Sequence, residues 1–159
     1  MQKVFRKKNF TREELLQKVR HYCRYQHRCH QEVREKLYSF AIKKEEVEEL
    51  LSKLIEERSL NEEDFATAFA RGKFRMKQWG KIKIRHELRL KKVSEYCIAR
   101  ALDAIEEHEY IATLEKLAGE KADSLSAEKN ELVRKTKLRD YLLQKGFEPA
   151  LINPVLSAA

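Results

Sequence analysis

One hydrophobic pattern occurs three times in this chain of 159 residues, and it constrains the fold more than any other feature. Five apolar positions recur with a period of about 50 residues, and an arginine directly follows the first position of each copy. The apolar positions are Val33, Leu37, Ile42, Val47 and Leu51, then Ile84, Leu88, Val93, Ile98 and Leu102, and finally Leu138, Leu142, Phe147, Ile152 and Leu156. A repeat of this kind indicates small helical units that bury their apolar faces against neighbours. We therefore predict an all-α tandem array.

The composition agrees with helices and excludes several classes of protein. Charged residues make up 38% of the chain, and only four glycines and two prolines occur, which is poor in the turn chemistry of sheets. No run approaches the roughly 18 apolar residues of a membrane span. The basic N-terminus has no apolar signal core behind it, so we expect a cytoplasmic protein. Three cysteines cannot all pair in one chain, which indicates free thiols in a reducing compartment.

Helix-start signals divide the first copy into three predicted helices. Thr11 followed by Glu14 has the spacing of a capping box, in which the hydroxyl and the carboxylate bond amides at opposite ends of the first turn. The helix that Thr11 opens is predicted to end near Arg28. Two further helices are predicted over about 30–40 and 44–58, as the spacing of their apolar residues indicates.

Among the three copies, the third has the clearest signal for a helix end. Gly146 is suited to a left-handed helix end, whereas Ala41 and Lys92 stand at the corresponding places of the first two copies. Those two helix ends must use another stop or adopt a strained positive φ. In the third copy we predict a helix around 110–118 and a softer stretch over 119–126. The predicted organisation is an extension at 1–10 and three-helix repeats at 11–60, 61–107 and 108–159.

Positive charge is concentrated in residues 71–92. This segment holds ten basic side chains and one acid, Glu87, and therefore has a net charge of +9. The rest of the chain has a net charge of −1, which gives the total of +8. A solvated helix face is the plain interpretation, but ordinary surfaces mix signs, which favours a site for a polyanion. The residues predicted to bind DNA or a protein–DNA filament, called the basic patch below, are Arg71, Lys73, Arg75, Lys77, Lys81, Lys83, Arg85, Arg89 and Lys92.

Helical spacing arranges part of the basic patch on one face. Four of its members recur at steps of 4, 4 and 3, which predicts a row beside the apolar stripe of a middle helix; they are Lys81, Arg85, Arg89 and Lys92. Trp79 lies between this row and the arginines of the preceding helix. Its ring can stack on bases or form a protein hot spot, but burial statistics favour a filler of the junction between two helices.

Metal or catalytic chemistry is not indicated. The run His21, Cys23, His27, Cys29 and His30 contains metal-ligand types, but structural zinc sites use two separated ligand pairs and this is one local cluster. A glycine-rich phosphate loop, a nucleophile elbow and a zinc-binding HExxH helix are all absent from the sequence. We therefore predict a protein that is not an enzyme and that has neither a metal nor a cofactor.

Four segments together resemble the RecX family. Residues 64–71 (DFATAFAR) and 79–88 (WGKIKIRHEL) resemble its central signature, and residues 32–37 (EVREKL) and 142–147 (LLQKGF) resemble the flanking copies. The order agrees over nearly the whole chain from about Thr11. The chain departs from the family pattern at Ala41, where glycine is common, and in its cysteine- and histidine-rich first repeat.

This resemblance implies both a fold and a function. The fold would be three tandem three-helix repeats, related to helix-turn-helix modules, in an elongated, curved array. The protein would be a cytoplasmic bacterial modulator of the RecA recombinase that limits filament extension, ATP hydrolysis, strand exchange and SOS induction. Its expected partners are the RecA filament, in whose groove it would lie as a monomer, and single- and double-stranded DNA, bound weakly and in a salt-dependent way.

Two other functions remain open at the level of sequence. A helix-turn-helix transcriptional regulator would read base edges, usually as a dimer, but the middle helix of the second copy has little Asn, Gln or Ser for that purpose. A helical adaptor without a nucleic-acid role would not bind single-stranded DNA. Selection from random duplexes and the salt dependence of DNA binding separate these alternatives from the first.

Overall fold

The computed structural model describes residues 9–158, and these residues form nine α-helices and no strand. The all-α helical repeat fold predicted from the sequence is confirmed. Most of the predicted extension at 1–10 lies outside the described residues. The helices are α1 (Arg12–Tyr25), α2 (His30–Tyr38), α3 (Lys44–Glu56), α4 (Glu62–Lys77), α5 (Lys81–Leu90), α6 (Glu95–Asp103), α7 (Glu107–Ser124), α8 (Glu131–Lys145) and α9 (Pro149–Ala158).

Helix α1 begins at the predicted capping box and ends earlier than predicted. The Glu14 amide donates to Thr11 Oγ1 and the Thr11 amide donates to the Glu14 carboxylate, each over 3.2 Å. The helix stops at Tyr25 because Gln26 is extended, with φ −158°. Arg28 then folds back, and its Nε donates to the carbonyl of Tyr22 over 3.2 Å. The guanidinium thus satisfies a carbonyl that the shorter helix leaves without an intrahelical partner.

The repeated apolar positions form the core. Fourteen of the fifteen are buried, and the other, Ile42, is partly buried and packs against the core of the first repeat. The spacing that revealed the repeat is therefore the spacing of core side chains. Hydrophobic burial of these residues is the main favourable contribution to folding.

All three copies turn at a residue in the left-handed region. Gly146 has φ 99°, as predicted, and Ala41 and Lys92 have φ 57° and 59°. The sequence left two alternatives for Ala41 and Lys92, another helix stop or a strained positive φ, and the positive φ is correct. In the second and third copies the amide after the left-handed residue returns to the preceding helix, with Val93 N donating to Leu88 O over 3.1 Å and Phe147 N to Leu142 O over 3.2 Å.

The chain divides into two compact units between Glu62 and Glu63. In the first unit, α1 is joined to α3 and α2 to α3 by arginine–glutamate pairs. Arg20 binds Glu57 through two hydrogen bonds of 2.7 and 3.0 Å, and Arg34 Nε donates to Glu48 over 2.8 Å. These pairs connect helices that share one apolar core, so the first unit combines burial with ionic contacts.

The second unit contains α5 to α9 and nearly all of α4, and its centre is aromatic. The ring of Tyr110 lies between those of Phe74 and Phe147, with centroid distances of 5.8 and 5.2 Å. Helix α7 continues through Gly119 to Ser124, so the softer stretch predicted over 119–126 was wrong for 119–124, and only 125–126 lie in a turn. Gly119 is exposed, and a Cβ added there would meet nothing within 4 Å. The strong helix formers around it outweigh its preference for coil.

Hydropathy places one limit on the described residues. None of the helices in residues 9–158 combines the length and the apolar character that a membrane span needs. The boundaries of the three predicted repeats stay a prediction.

Candidate nucleic-acid interface

The basic patch is built by the end of α4 and by α5. Four of its members lie on α4 and four on α5, and the two helices are joined by the short connection 78–80. Lys92 is the exception, because α5 ends at Leu90 and Lys92 occupies the left-handed turn with φ 59°. The predicted row therefore continues along the helix only as far as Arg89.

Trp79 holds two lysines of the basic patch together. It is half-buried between α4 and α5, and Lys73 Nζ lies 5.0 Å and Lys83 Nζ 4.7 Å from its ring centroid. A cation near an aromatic ring is attracted by the negative potential of the ring face. The tryptophan thus positions one lysine from each helix, which is the role at the helix junction that burial statistics favoured.

Few charges of the basic patch are neutralised by acids. Arg89 forms an ion pair with Glu95, in which Nε lies 2.7 Å from the carboxylate, and this contact lowers the pKa of Glu95. The other eight members form no ion pair with a carboxylate in the described residues. Arg71 and Arg75 are exposed, and Arg85 is half-buried. The surface therefore keeps a positive electrostatic potential, which can attract an external polyanion.

Lys145, at the end of α8, adds a cation that the sequence did not predict. Its Nζ donates to the carbonyl of Lys77 over 2.9 Å. Burial, together with the charges of Lys83 and Lys77, lowers the pKa of Lys145. No local sequence signal predicts this contact, because the two residues are 68 positions apart.

The amino end of α5 is held by the third repeat. Gly80 N donates to the carbonyl of Lys145 over 2.8 Å, and Ile82 N donates to the carbonyl of Gly146 over 3.0 Å. The backbones approach so closely that a Cβ on Gly80 would lie 2.3 Å from the carbonyl carbon of Gly146. The first amides of a helix have no partner within the helix, and here a neighbouring repeat supplies one.

Tyr110 completes this contact with its hydroxyl group. The hydroxyl accepts from Lys81 N over 2.9 Å and donates to the carboxylate of Glu148. Burial and the hydrogen bond to Glu148 raise the pKa of Tyr110, so the hydroxyl keeps its proton. Lys81 Nζ lies 5.0 Å from the centroid of the same ring. The third repeat therefore fixes the start of the helix that carries half of the basic patch.

Apolar side chains are exposed among these cations. Met76 is 83% exposed, Leu90 64% and Ile82 42%. A surface that bound phosphate alone would not need them, whereas Met and large apolar side chains are typical of protein–protein contacts. The arrangement is therefore suited to a partner that presents both phosphates and protein.

The cysteine- and histidine-rich run of the first unit does not form a metal centre in the described residues, where no group of three or more His, Cys, Asp or Glu side chains is arranged to hold an ion. Cys29 is buried at the start of α2, and its amide donates to the Glu32 carboxylate over 3.2 Å. Cys23 packs against the core of the first unit, and burial raises the pKa of its thiol. Both cysteines, like Cys97, are free thiols.

Two family models match this chain. The second three-helix domain of RecX matches residues 61–102, and the third three-helix domain of RecX matches residues 108–156. Together these matches cover more than half of the chain and include the whole basic patch.

Curated relatives and solved structures agree with the family models. "Regulatory protein RecX" of Thermotoga petrophila is 31% identical over 153 residues, which are 96% of this chain and 88% of that protein. The protein of the same name from Bacillus cytotoxicus is 31% identical over 83% of this chain, which spans about half, 48%, of that relative. The crystal structure of RecX from Lactobacillus salivarius superposes with a TM-score of 0.84 at 23% identity, over 92% of this chain and 95% of that one. A second RecX crystal structure gives a TM-score of 0.78 at 23% identity, and the match covers 91% of this chain and 72% of that one.

Proposed function

The chain belongs to the RecX family of regulatory proteins, and from that membership we propose that it regulates the RecA recombinase by binding the RecA–DNA filament. Bound in the filament groove, it limits filament extension and with it ATP hydrolysis and strand exchange. It thereby modulates DNA repair and the SOS response. A RecX regulatory role follows from the family itself.

The unneutralised charge of the basic patch is the observation that carries the proposal. Eight cations without a carboxylate partner in residues 9–158 lie on two adjoining helices and the turn that follows them. Each phosphate that such a cation neutralises releases condensed counterions, which makes binding favourable and dependent on salt. DNA within the filament supplies these phosphates.

The exposed apolar side chains support a protein component of the partner. Met76 and Leu90 adjoin cations of the basic patch in the sequence and leave most of their surface open to contact. A filament of protein on DNA offers apolar and anionic surface side by side, so one face of this protein can engage both. Several weak contacts along a filament act together through effective concentration.

The proposed mechanism is binding without catalysis. It needs no cofactor and no metal, because occupancy of the groove is itself the inhibitory event. The protein acts as a monomer in the cytoplasm, where the filament forms on single-stranded DNA.

Removal of arginines that have no ion pair with a carboxylate tests the basic patch. The variant Arg71→Ala/Arg75→Ala/Arg85→Ala leaves the Arg89–Glu95 pair intact and removes three cations without acidic partners. In a RecA ATPase assay on single-stranded DNA, substoichiometric wild-type protein should lower the rate, and the variant should lower it much less. The slope of log affinity against log salt should also decrease by about 0.7 for each phosphate that the variant no longer neutralises.

A matched variant separates the basic patch from total charge. Lys43, Lys129 and Arg139 are exposed, have no ion pair in the described residues and lie outside 71–92. Their replacement by alanine removes the same charge and should leave inhibition nearly unchanged. Equal inhibition by a folded patch variant and the wild type would refute the proposal, and equally weakened inhibition by both variants would indicate a general charge effect.

The helix-turn-helix alternative has a separate test. Selection from a random pool of duplexes should recover no motif, because α5 presents Lys and Arg and contains no Asn, Gln or Ser to read bases. A recovered motif would favour a transcriptional regulator instead.

A further inference from the structure

A groove in the first unit combines aromatic rings with cations, and we propose that it binds single-stranded nucleic acid by stacking unpaired bases. This site, called the aromatic groove below, lies beside α1 and α2 and has a volume of about 590 Å³. That size is within the range of about 300–1,000 Å³ typical of ligand sites. None of the described residues that line it carries a carboxylate. Its lining includes Lys18, Tyr22, Tyr25, Arg28, Lys36 and Phe40.

The floor of the aromatic groove is held by contacts among its own side chains. The Arg28 guanidinium lies 3.7 Å from the Tyr22 ring centroid, and its Nε is fixed by the hydrogen bond to the Tyr22 carbonyl. Lys36 Nζ lies 5.4 Å from the Tyr22 centroid and 5.6 Å from that of Phe40. Phe40 is in turn held edge-to-face against Phe10, with centroids 5.7 Å apart. The cations are therefore positioned before any ligand arrives.

The charges on these cations are free to meet a polyanion. Lys18, Arg28 and Lys36 form no ion pair with a carboxylate in the described residues. Burial is the main cause that raises the pKa of Tyr22, and the charge of Glu32 adds to it. The Glu32 carboxylate accepts from the Cys29 amide and does not line the groove. Complementarity of charge therefore selects an anionic partner.

An exposed aromatic ring at the edge of the groove identifies the partner as nucleic acid. Tyr25, the last residue of α1, is 77% exposed, and its ring contacts no other ring or cation in the described residues. Stacking of a base on such a ring strengthens binding whatever the base, since every base has a π-face. An acidic peptide has charges for the lysines but has no planar group for this ring, so nucleic acid is the better match.

The aromatic groove and the basic patch differ in what they can recognise. Trp79 in the basic patch is half-buried between two lysines, which leaves phosphates as the main contact there. Tyr25 is open, and base faces are accessible only where the bases are unpaired. We therefore assign a preference for single strands to the first unit. The groove lies outside the residues that the family models match, 61–102 and 108–156, and it does not rest on the proposed role toward RecA.

Binding of an oligothymidylate and of an abasic strand of the same length tests this inference. Both strands carry the same phosphates, and only the first carries bases. In the Arg71→Ala/Arg75→Ala/Arg85→Ala background, fluorescence anisotropy should show tighter binding of the oligothymidylate. The further change Tyr25→Ala should weaken that binding about tenfold and leave the abasic strand unaffected. Lys18→Gln/Lys36→Gln should weaken binding of both strands.

Two controls make the result decisive. Tyr96→Ala removes another ring that is 65% exposed and should change the affinity for neither strand. Circular dichroism should show that Tyr25→Ala unfolds at the same temperature as the wild type. Unchanged binding of oligothymidylate by Tyr25→Ala, or an equal decrease in affinity for both strands, would overturn the inference. Oligoglutamate that competed as well as oligothymidylate would identify an acidic-peptide site instead. None of these outcomes depends on whether the basic patch inhibits RecA.

Discussion

Helices α2 and α5 hold the same place in their repeats, yet their amino ends are satisfied by different chemistry. Carboxylates cap α2: the Cys29 amide donates to Glu32 over 3.2 Å, and the His30 amide donates to Glu62 over 3.1 Å. At α5, by contrast, backbone carbonyls and a tyrosine hydroxyl from the third repeat accept the corresponding amides. Both solutions pair the free amides that every helix start exposes.

This difference determines how each helix depends on its surroundings. Negative groups at a helix start also interact with the helix dipole, so α2 is stabilised from within the first unit. Helix α5 has no acid in its first turn and relies on a contact between two glycine backbones. The basic patch can thus keep its start free of acids, because the neighbouring repeat satisfies the amides that an acid would otherwise bind.

The largest decrease in stability should follow from adding a side chain where these two backbones meet. A Cβ added at Gly80 would lie 2.3 Å from the carbonyl carbon and oxygen of Gly146, which only backbone movement can relieve. Because overpacking forces such shifts, Gly80→Ala should lower the free energy of unfolding by about 3 kcal/mol. Trp79, the one tryptophan of the chain, adjoins this contact, so urea unfolding followed by its fluorescence is the measurement.

Gly72→Ala is the matched control for this prediction. Gly72 lies inside α4, and a Cβ there would meet nothing within 4 Å. Alanine should therefore raise the free energy of unfolding by about 0.5–1 kcal/mol through helix propensity. Equal stability of Gly80→Ala and the wild type would show that α5 does not need the third repeat.

A smaller decrease should follow from removing the hydroxyl of Tyr110. Tyr110→Phe keeps the buried ring but leaves the Lys81 amide and the Glu148 carboxylate without their shared partner. Loss of a partner for this half-buried amide should lower the free energy of unfolding by about 1–2 kcal/mol. Tyr141→Phe is the control, since the Tyr141 hydroxyl has no hydrogen bond in the described residues. An equally large decrease in Tyr141→Phe would mean that the hydroxyl of Tyr110 has no special role.

Local signals in the sequence predicted much of the fold for a physical reason. The apolar period predicted the core because core positions must recur wherever the helices pack in the same way. The cap at Thr11 and the left-handed turn at Gly146 were predicted because each depends on residues a few positions apart. The end of α1 was not predicted, because it depends on Arg28 folding back onto the carbonyl of Tyr22.

The candidate sites were predicted less completely, because their contacts are distant in the sequence. The cations of the basic patch could be identified from charge alone, but the contribution of Lys145 depends on a contact across 68 positions. The aromatic groove had no sequence signal beyond scattered tyrosines and lysines. It forms only because Tyr22 and Phe40, from different parts of the first repeat, meet beside the same cation, Lys36.

The smallest effect should come from the acids of the first unit and should depend on pH. The two hydrogen bonds from Arg20 lower the pKa of Glu57 to about 2. A carboxylate with a lowered pKa stabilises the fold fully above its unfolded pKa of 4.5, and the contribution is lost as the pH falls toward 2. Glu57→Gln should therefore be less stable than the wild type by about 0.5–1 kcal/mol at neutral pH, and the difference should vanish near pH 2. Urea unfolding followed by circular dichroism across this range of pH measures the difference.

Glu49→Gln is the control, because Arg12 and Glu49 are both more than half exposed and their contact of 3.4 Å is screened by solvent. No difference between this variant and the wild type is therefore expected at any pH. A difference between Glu57→Gln and the wild type that persisted at about pH 2 would show that packing of Glu57, and not its charge, joins α1 to the end of α3.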